Sequence, residues 1–340
     1  MAAHNLEATA AALVASGKGI LAADESYATI ERRFGGIGLE STEETRRAYR
    51  EVLFTAPGLG EFISGVILFD ETIRQAAADG TPFPRVLERQ GIMPGIKVDK
   101  GAQPLAGAPG EQVTEGLDGL RERLAGYVEL GARFTKWRAV IAVGDGVPSR
   151  YCIRVNAHSL ARFAAASQEA ALVPVVEPEV LMDGDHTIDR CFEATEATLR
   201  AVFEELREQR VALEGMLLKP NMVLSGKDCP EQAGVEEVAE KTARCLRRTV
   251  PAAVPGVVFL SGGQSDEAAT AHLNAMNAMG PHPWELSFSY ARALQAPALK
   301  AWAGKPENVA AAQQALYHRA KLNSAARSGS YSPEMEKLAA

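Results

Sequence analysis

The sequence lacks the features that mark several classes of protein. It has only four cysteines in 340 residues, and no two of them have the CxxC spacing of a zinc ribbon or a thioredoxin-like motif. We therefore expect reduced thiols rather than a disulfide framework. No apolar run approaches the roughly 20 residues that span a membrane. Neither a GxGxxG nor a GxxxxGK[ST] nucleotide-binding motif is present.

An excess of positive charge is also missing. The chain has 36 Lys and Arg against 43 Asp and Glu, a formal net charge of -7, so no nucleic-acid partner is expected. A small phosphorylated ligand is compatible with this balance, because it needs only a few local cations. The first residues have no basic start before their apolar part, and Glu7 interrupts that part. This predicts an N-terminal helix rather than a signal peptide, and hence a cytoplasmic protein with no membrane partner.

What the sequence does contain is a series of short apolar runs separated by longer amphipathic stretches. Each run has the length of a strand, and most are rich in Val, Ile, Leu or Phe. The eight runs are 19–24, 63–70, 92–99, 132–141, 172–180, 215–222, 256–263 and 284–290.

Helical patterns fill most of the gaps between these runs. Over 187–209, apolar residues recur at three- and four-residue steps, with Glu and Arg on the other face. The segments 156–170, 235–250 and 265–279 are similar, and a last helix is predicted over 306–325. Strand–helix alternation repeated eight times predicts parallel strands joined by helical crossovers.

The eightfold alternation favours an α/β fold of the closed (β/α)8 TIM-barrel type over the open doubly wound sheet that is its alternative. No linker divides the chain, so we expect a single barrel domain over 1–328 and a mobile C-terminal tail over 329–340. The segment 101–110 is expected to be a flexible loop after the third strand.

Charged and small polar residues stand at the predicted strand ends, where a barrel carries its chemistry. Residues two apart on a strand share a face, so Lys136 and Arg138 point one way and Trp137 the other. Glu177 and Glu179 share a face for the same reason. These charges could instead be ion pairs that only stabilise the barrel. Because most of the predicted strands end in a charged residue, a functional site is the favoured interpretation. The other charged or small residues at the predicted strand ends are Asp24, Lys97, Asp99, Lys219, Ser261, Gly262 and Gly263, and Arg292 lies just beyond the last strand.

Lys219 is the most informative of these residues, because it follows Leu217 and Leu218. Burial disfavours its ammonium form, and a nearby cation such as Lys136 disfavours it further. A neutral amine so produced could attack a carbonyl and form a Schiff base. The alternative is a lysine that is simply paired with Glu177.

A phosphate site is predicted at the turn Ser261-Gly262-Gly263, since glycines let backbone amides approach an anion. A barrel would bring Arg292 beside this turn, where its guanidinium can donate to a phosphate.

No metal and no cofactor are predicted. Asp183, Asp185 and His186 form a polar cluster that could hold a cation. The cluster lacks the open ligand set of a catalytic zinc site, and a solvated turn explains it better.

Seven segments resemble, in order, the signature segments of class I fructose-bisphosphate aldolase. They are GILAADES, GIKVDKG, FTKWR, VVEPE, LLKPNMV, LSGGQS and FSYARALQ, and the resemblance runs over about residues 5–328. It implies a (β/α)8 barrel, a homotetramer and a metal-independent glycolytic lyase. The implied reaction is the reversible cleavage of fructose 1,6-bisphosphate to dihydroxyacetone phosphate and glyceraldehyde 3-phosphate through a lysine Schiff base.

The resemblance also implies a role for each matched residue. Lys219 would be the nucleophile, and Glu177 the acid and base of carbinolamine formation and dehydration, with Glu179 beside it. Asp24 would accept the C4 hydroxyl proton, and Lys136 would hold the substrate and keep Lys219 deprotonated. The residues matched to substrate and phosphate binding are Arg138, then Ser261, Gly262, Gly263 and Arg292 at the C1 phosphate, and Lys97, Ser26 and Arg33 at the C6 phosphate.

Some positions depart from the family pattern. The family often reads ADESTGSI where this chain has Tyr27 and Thr29, which leaves open the choice between fructose 1,6-bisphosphate and fructose 1-phosphate. Ala291 replaces a usual glycine, and it fits if its φ is negative. The animal members end in a tyrosine that assists proton exchange on the enamine. Here Tyr331 is the only tail tyrosine, so either it or another group protonates the enamine.

Three other functions compete with this interpretation. One is a Schiff-base barrel acting on a different sugar phosphate, and another is an aldolase-like scaffold that only binds a partner. The scaffold predicts loss of Lys219, Glu177, Lys136 or Asp24, and all four are present. The third is a metal-dependent aldolase, which sensitivity to EDTA would reveal.

Overall fold

The structure is a computed structural model that describes residues 2–339, with the side chains of residues 5–337. Within these residues, eight parallel strands form a closed barrel and two short antiparallel strands form a hairpin. The barrel strands are β1 (Gly19–Ala23), β2 (Ile63–Leu68), β3 (Met93–Lys97), β6 (Phe134–Ile141), β7 (Val173–Val180), β8 (Leu217–Leu218), β9 (Gly256–Phe259) and β10 (Glu285–Tyr290); the hairpin consists of β4 (Ala102–Pro104) and β5 (Gln112–Thr114).

Helices follow the barrel strands and cover the outside of the barrel. They are α1 (Ala2–Leu13), α2 (Tyr27–Gly35), α3 (Glu43–Phe54), α4 (Asp70–Ile73), α5 (Phe83–Glu88), α6 (Leu120–Glu129), α7 (Arg150–Glu169), α8 (Ile188–Glu208), α9 (Val235–Thr249), α10 (Asp266–Ala278), α11 (Arg292–Trp302) and α12 (Val309–Arg327). In the part of the chain that the structure describes, no helix combines the length and apolarity needed to cross a bilayer.

The first and last barrel strands pair with each other, and this pairing decides between the two predicted architectures. Ile20 of β1 lies opposite Ser289 of β10, and the ladder continues to Tyr290. An open sheet would leave both strands at edges, so the open-sheet alternative is wrong and the predicted TIM barrel is confirmed.

The N-terminal helix closes the bottom of the barrel. Leu13 and the adjoining Val14 are buried with the inward-facing residues of the strands. A Cβ atom at Gly256 would lie 2.5 Å from the side chain of Val14, so only glycine allows this close approach. The bottom of the barrel is thus filled with apolar side chains, and the charged residues lie at the opposite end.

The predicted facing of the strand β6 is confirmed. Trp137 is fully buried on the outside of the barrel, where its ring stacks on Phe163 of α7 at 5.6 Å between centroids. Lys136 and Arg138, on either side of it, both line the cavity at the barrel mouth.

Several predicted boundaries are wrong. The helix predicted over 156–170 begins at Arg150, because Ser149 caps it by accepting a hydrogen bond from the amide of Cys152. The helix α11 was not predicted; it begins at Arg292 and contains Pro297. The segment 101–110, expected to be a flexible loop, starts the antiparallel hairpin β4–β5.

The tail packs against the barrel in this structure. Residues Pro333–Ala339 form a 3-10 helix, and Glu336 accepts two hydrogen bonds from the buried guanidinium of Arg319, at 2.6 and 2.7 Å. The mobility of the tail and the division at residue 328 stay predictions.

Candidate active site

The open end of the barrel holds a cavity of about 1070 Å³. It collects residues from β1, β3, β6, β7 and β10 and from the segments that directly follow β2, β8 and β9, because the C-terminal ends of parallel strands meet at one rim. Of the residues singled out from the sequence, those that line it are Asp24, Ser26, Arg33, Lys97, Asp99, Lys136, Arg138, Glu177, Glu179, Lys219, Ser261, Gly262 and Arg292.

Four charged side chains form a continuous buried cluster at the base of this cavity. The Nζ atom of Lys219 lies 3.1 Å from Oε1 of Glu177, and Lys219 is only 3% exposed. The Nζ atom of Lys136 lies 3.1 Å from Oε2 of the same carboxylate and 2.5 Å from Oδ2 of Asp24. The two lysine side chains and the two carboxylates therefore form one buried network at the base of the barrel mouth.

Within this cluster, Lys136 and the carboxylates of Asp24 and Glu177 hold each other ionised. Burial alone would raise the pKa of Asp24 and of Glu177, but Lys136 and Lys219 lower both pKa values below their ordinary range. Burial alone would lower the pKa of Lys136, but Asp24 and Glu177 raise it well above its ordinary value. Lys136 is therefore a permanent cation at neutral pH.

Glu179 belongs to a neighbouring pair. It accepts a hydrogen bond from Nε of Arg138. The amide of Arg138 also donates to Oδ2 of Asp99, at 3.2 Å. Asp99 in turn lies 2.5 Å from the Nζ atom of Lys97, so an ion-pair chain runs along this side of the mouth.

Two groups of residues that were predicted to bind phosphate lie on the cavity wall. In the part of the chain with described side chains, Arg292 makes no ion pair, and it stands exposed at the first position of α11 beside Ser261 and Gly262. Gly263 does not line this cavity; its φ is +74°, and it packs against Met182. Of the predicted phosphate turn, Ser261 and Gly262 therefore line the cavity and Gly263 does not.

The second group lies around α2 and β3. The Oγ atom of Ser26 is 3.2 Å from Oγ1 of Thr29, and both residues line the cavity with Lys97. Arg33 also lines it, but its guanidinium donates to the buried carboxylate of Glu25. Arg33 is therefore held in place rather than free.

The positions that depart from the family pattern are accommodated. Tyr27 is 52% exposed and does not line the cavity; its ring packs edge-on against Phe69 and lies under the guanidinium of Arg46. Ala291 has φ −101°, so its methyl group causes no backbone strain.

Sequence reasoning missed some of the residues in the cavity. Ser289 lines it with a buried Oγ that has no hydrogen-bond partner among the described residues. The alternation in β10 could have found it, because Ser287 and Ser289 share the inward face of an otherwise apolar strand. Arg123 of α6 also lines the cavity. The search for charged residues at strand ends could not find it, because it lies on a helix.

The polar cluster after β7 forms ordinary turn contacts. Asp183 pairs with Lys227 at 2.6 Å, and a ring nitrogen of His186 lies 3.2 Å from the carbonyl of Leu181. Across the residues that the structure describes, no group of three or more His, Cys, Asp or Glu is arranged to hold a metal ion. That the protein uses no metal and no cofactor stays a prediction.

Comparison with known proteins agrees with the geometry. The family model described as fructose-bisphosphate aldolase class-I matches residues 5–340. A probable fructose-bisphosphate aldolase class 1 from Xanthomonas campestris pv. campestris is 62% identical over 332 residues, which are 97% of this chain and 99% of the relative. Fructose-bisphosphate aldolase 1 from Toxoplasma gondii is 55% identical over 331 residues, 97% of this chain and 91% of the relative.

A solved structure is similarly close. It is the co-crystal structure of fructose-bisphosphate aldolase from Plasmodium falciparum in complex with TRAP and a small-molecule inhibitor. The TM-score is 0.96 at 52% identity, over 97% of this chain and 96% of that one.

Proposed function

The chain belongs to the class I fructose-bisphosphate aldolase family, a family of aldehyde-lyases, and from that premise we propose that it cleaves fructose 1,6-bisphosphate through a Schiff base on Lys219. The products are dihydroxyacetone phosphate and glyceraldehyde 3-phosphate, and the reaction is reversible. The observation that carries the proposal is the buried contact of 3.1 Å between Nζ of Lys219 and Oε1 of Glu177.

Glu177 supports the formation of the Schiff base. The Lys219 amine adds to the C2 carbonyl of the ketose, and the carbinolamine then loses water to give the protonated imine. Each step moves a proton on or off oxygen, which a carboxylate within reach can relay. Among the described residues, no hydrogen bond satisfies the buried Oε2 of Glu177, although Lys136 lies 3.1 Å away. This oxygen can therefore accept a hydrogen bond from the hydroxyl of the carbinolamine while it stays paired with Lys136.

Asp24 supports the cleavage of the carbon–carbon bond. It removes the proton from the C4 hydroxyl, the C3–C4 bond breaks, and its electron pair moves onto the imine to form the enamine. The aldehyde leaves, C3 of the enamine is protonated, and water releases dihydroxyacetone phosphate. Because Lys136 lowers the pKa of Asp24, the carboxylate is ionised at neutral pH, which is the form that can take up a proton.

The two groups of anion-binding residues suit a substrate with a phosphate at each end. Ser261, Gly262 and Arg292 would hold the C1 phosphate, and Lys97 and Ser26 the C6 phosphate. Helix starts and free backbone amides favour phosphate oxygens. A cavity of about 1070 Å³ has room for a six-carbon bisphosphate.

Borohydride trapping tests this proposal. We expect that reduction in the presence of dihydroxyacetone phosphate inactivates the enzyme and leaves one added three-carbon group per chain, found by peptide mapping on Lys219. The same reduction without the ketose serves as the control. A label on another residue would overturn the assignment, and EDTA-sensitive activity without any label would favour a metal-dependent reaction.

Tyr331 is not expected to protonate the enamine. Its hydroxyl donates to Oε1 of Glu336 at 2.9 Å, and its side chain does not line the catalytic cavity. A Tyr331→Phe variant should exchange the C3 proton of dihydroxyacetone phosphate with solvent at the wild-type rate, within about twofold. Deuterium exchange followed by NMR measures this rate. A loss of tenfold or more with unchanged cleavage of the bisphosphate would return Tyr331 to the mechanism.

We also propose that the enzyme works as a cytoplasmic, glycolytic homotetramer. Family membership supports this proposal. Sedimentation analysis would distinguish a tetramer of 36.3 kDa chains from smaller assemblies.

A further inference from the structure

A buried histidine lies directly behind the candidate phosphate turn. His272 is on α10, two turns after its first residue, and is only 6% exposed. Its Nδ1 atom lies 2.7 Å from Oε1 of Gln264. Both residues face a separate cavity of about 350 Å³, and His272 does not line the catalytic cavity.

The direction of this hydrogen bond follows from chemistry. An amide oxygen can only accept, so Nδ1 of His272 must carry the proton and donate it to Oε1 of Gln264. Burial lowers the pKa of His272 to about 4, which keeps the ring neutral throughout the ordinary pH range. The contact is thus a permanent neutral hydrogen bond.

Gln264 immediately follows the turn that carries Ser261 and Gly262 into the catalytic cavity. The backbone holds this turn loosely: the amide of Gln264 donates to the carbonyl of Ser261 at 3.3 Å, a long hydrogen bond. The other amide atom of Gln264, Nε2, is buried with no hydrogen-bond partner among the described residues. The contact with His272 is therefore the main polar tether of the Gln264 side chain.

The turn has little room to adapt if this tether is lost. A Cβ atom at Gly262 would lie 2.9 Å from Oε1 of Glu179, and one at Gly263 would lie 2.6 Å from Met182. Both glycines thus pack closely against neighbouring side chains, so a displacement of Gln264 would be taken up by a change in the directions of the Ser261 hydroxyl and the backbone amides.

We propose that His272 is a positioning residue that, through Gln264, holds the turn Ser261–Gly263 in the geometry that binds a phosphate monoester. This inference rests on the proposed function, because it concerns the C1 phosphate of that substrate. His272 itself touches neither the substrate nor the reacting atoms.

Two substitutions of His272 form a matched pair. His272→Leu places a branched, apolar side chain in the buried position and removes the hydrogen-bond donor. His272→Asn places an amide nitrogen close to the position of Nδ1 and keeps the donor. Because one neutral hydrogen bond is worth about 0.5–1.5 kcal/mol, the leucine variant should raise KM for fructose 1,6-bisphosphate about three- to tenfold. Its kcat should change less than about twofold, and the asparagine variant should stay near wild type in both.

A second measurement isolates phosphate binding from the chemistry. Inorganic phosphate should inhibit competitively, and its inhibition constant should rise in His272→Leu by the same factor as KM. Gln264→Leu removes the hydrogen bond from its other side, so it should have the same effect if the His272 variant folds poorly. The double variant should be no worse than either single variant.

Two results would overturn the proposal. One is an unchanged KM and phosphate inhibition constant in both leucine variants; the other is a defect in His272→Asn as large as that in His272→Leu. A wild-type enzyme without any cleavage activity would contradict the proposed function instead, so the two failures are distinguishable.

Discussion

Replacing Lys219 with methionine is expected to abolish aldol cleavage. Methionine is similar in length and apolar, so it fits a site where Lys219 is only 3% exposed, but it cannot form an imine. Removing a group that acts covalently costs about 10⁴- to 10⁶-fold in kcat in well-studied enzymes. Without the imine, the electron pair of the C3–C4 bond has no acceptor, so we expect an effect at the upper end of this range.

The fold should survive this change. Lys136 remains 3.1 Å from Glu177, so the carboxylate keeps one buried cation when Lys219 is lost. Activity should be measured by the coupled release of triose phosphate, with thermal unfolding followed by circular dichroism. Lys241→Met is the matched control, since its ammonium pairs with Asp189 on the surface at 2.5 Å. Residual activity within tenfold of wild type would refute the assigned nucleophile.

Replacing Lys136 with methionine is expected to damage both catalysis and stability. This ammonium is the shared counter-ion of Asp24 and Glu177, at 2.5 and 3.1 Å. Loss of one partner from a buried ion pair costs about 3–5 kcal/mol, because the remaining charge stays in an apolar environment. With the pKa of both carboxylates altered, we expect kcat to fall by about 10²- to 10⁴-fold.

The pH dependence of this variant has a defined sign. In the wild type, Lys136 lowers the pKa of Asp24 and of Glu177 below the pKa that each has in the unfolded chain. The stability that the two carboxylates contribute is therefore present when the pH is above the unfolded-state pKa, and it is lost as the pH falls through the folded-state pKa. Without Lys136, the effect of burial is opposed only by the remaining cations, chiefly Lys219, so the pKa values of Asp24 and Glu177 should both rise above their values in the wild type. The stability deficit of Lys136→Met should therefore be largest at neutral pH and shrink toward acid pH, where the carboxylates become neutral.

Urea unfolding at several pH values measures the deficit, and the pH profile of kcat/KM should show an acid limb moved to higher pH. Lys136→Arg is the control: it restores a charge and most of the stability, but its planar head differs from an ammonium, so activity stays low. A Lys136→Met protein as stable as wild type at every pH would show that the cluster is not held together as proposed.

The architecture could be predicted from the sequence because it depends on local patterns. Apolar runs of strand length alternate with amphipathic stretches, as in the helix α8, whose predicted span differs from the observed one by one residue at each end. The two-residue strand β8 is the exception: the run 215–222 predicts a longer strand, but Pro220 lacks the amide that would continue the ladder.

The errors have a common physical cause. The helix α11 was missed because it begins directly after β10, with no polar linker to separate the two patterns, and because Pro297 interrupts it. The hairpin β4–β5 was taken for a loop because its glycines and prolines obscure two three-residue strands. Short elements of this kind are stabilised by their neighbours rather than by their own sequence.

The sequence by itself determined the barrel class, the strand on which or after which each candidate residue lies, and the face on which Lys136 and Glu177 lie, because strand periodicity is local. Only the tertiary structure decided which charges meet: Lys136 joins Asp24 to Glu177, Arg138 takes Glu179, and Arg292 stays unpaired among the described residues. It also directed Gly263 and Tyr331 away from the cavity. Distances between strands far apart in the chain depend on barrel closure and side-chain packing, and no local pattern encodes them.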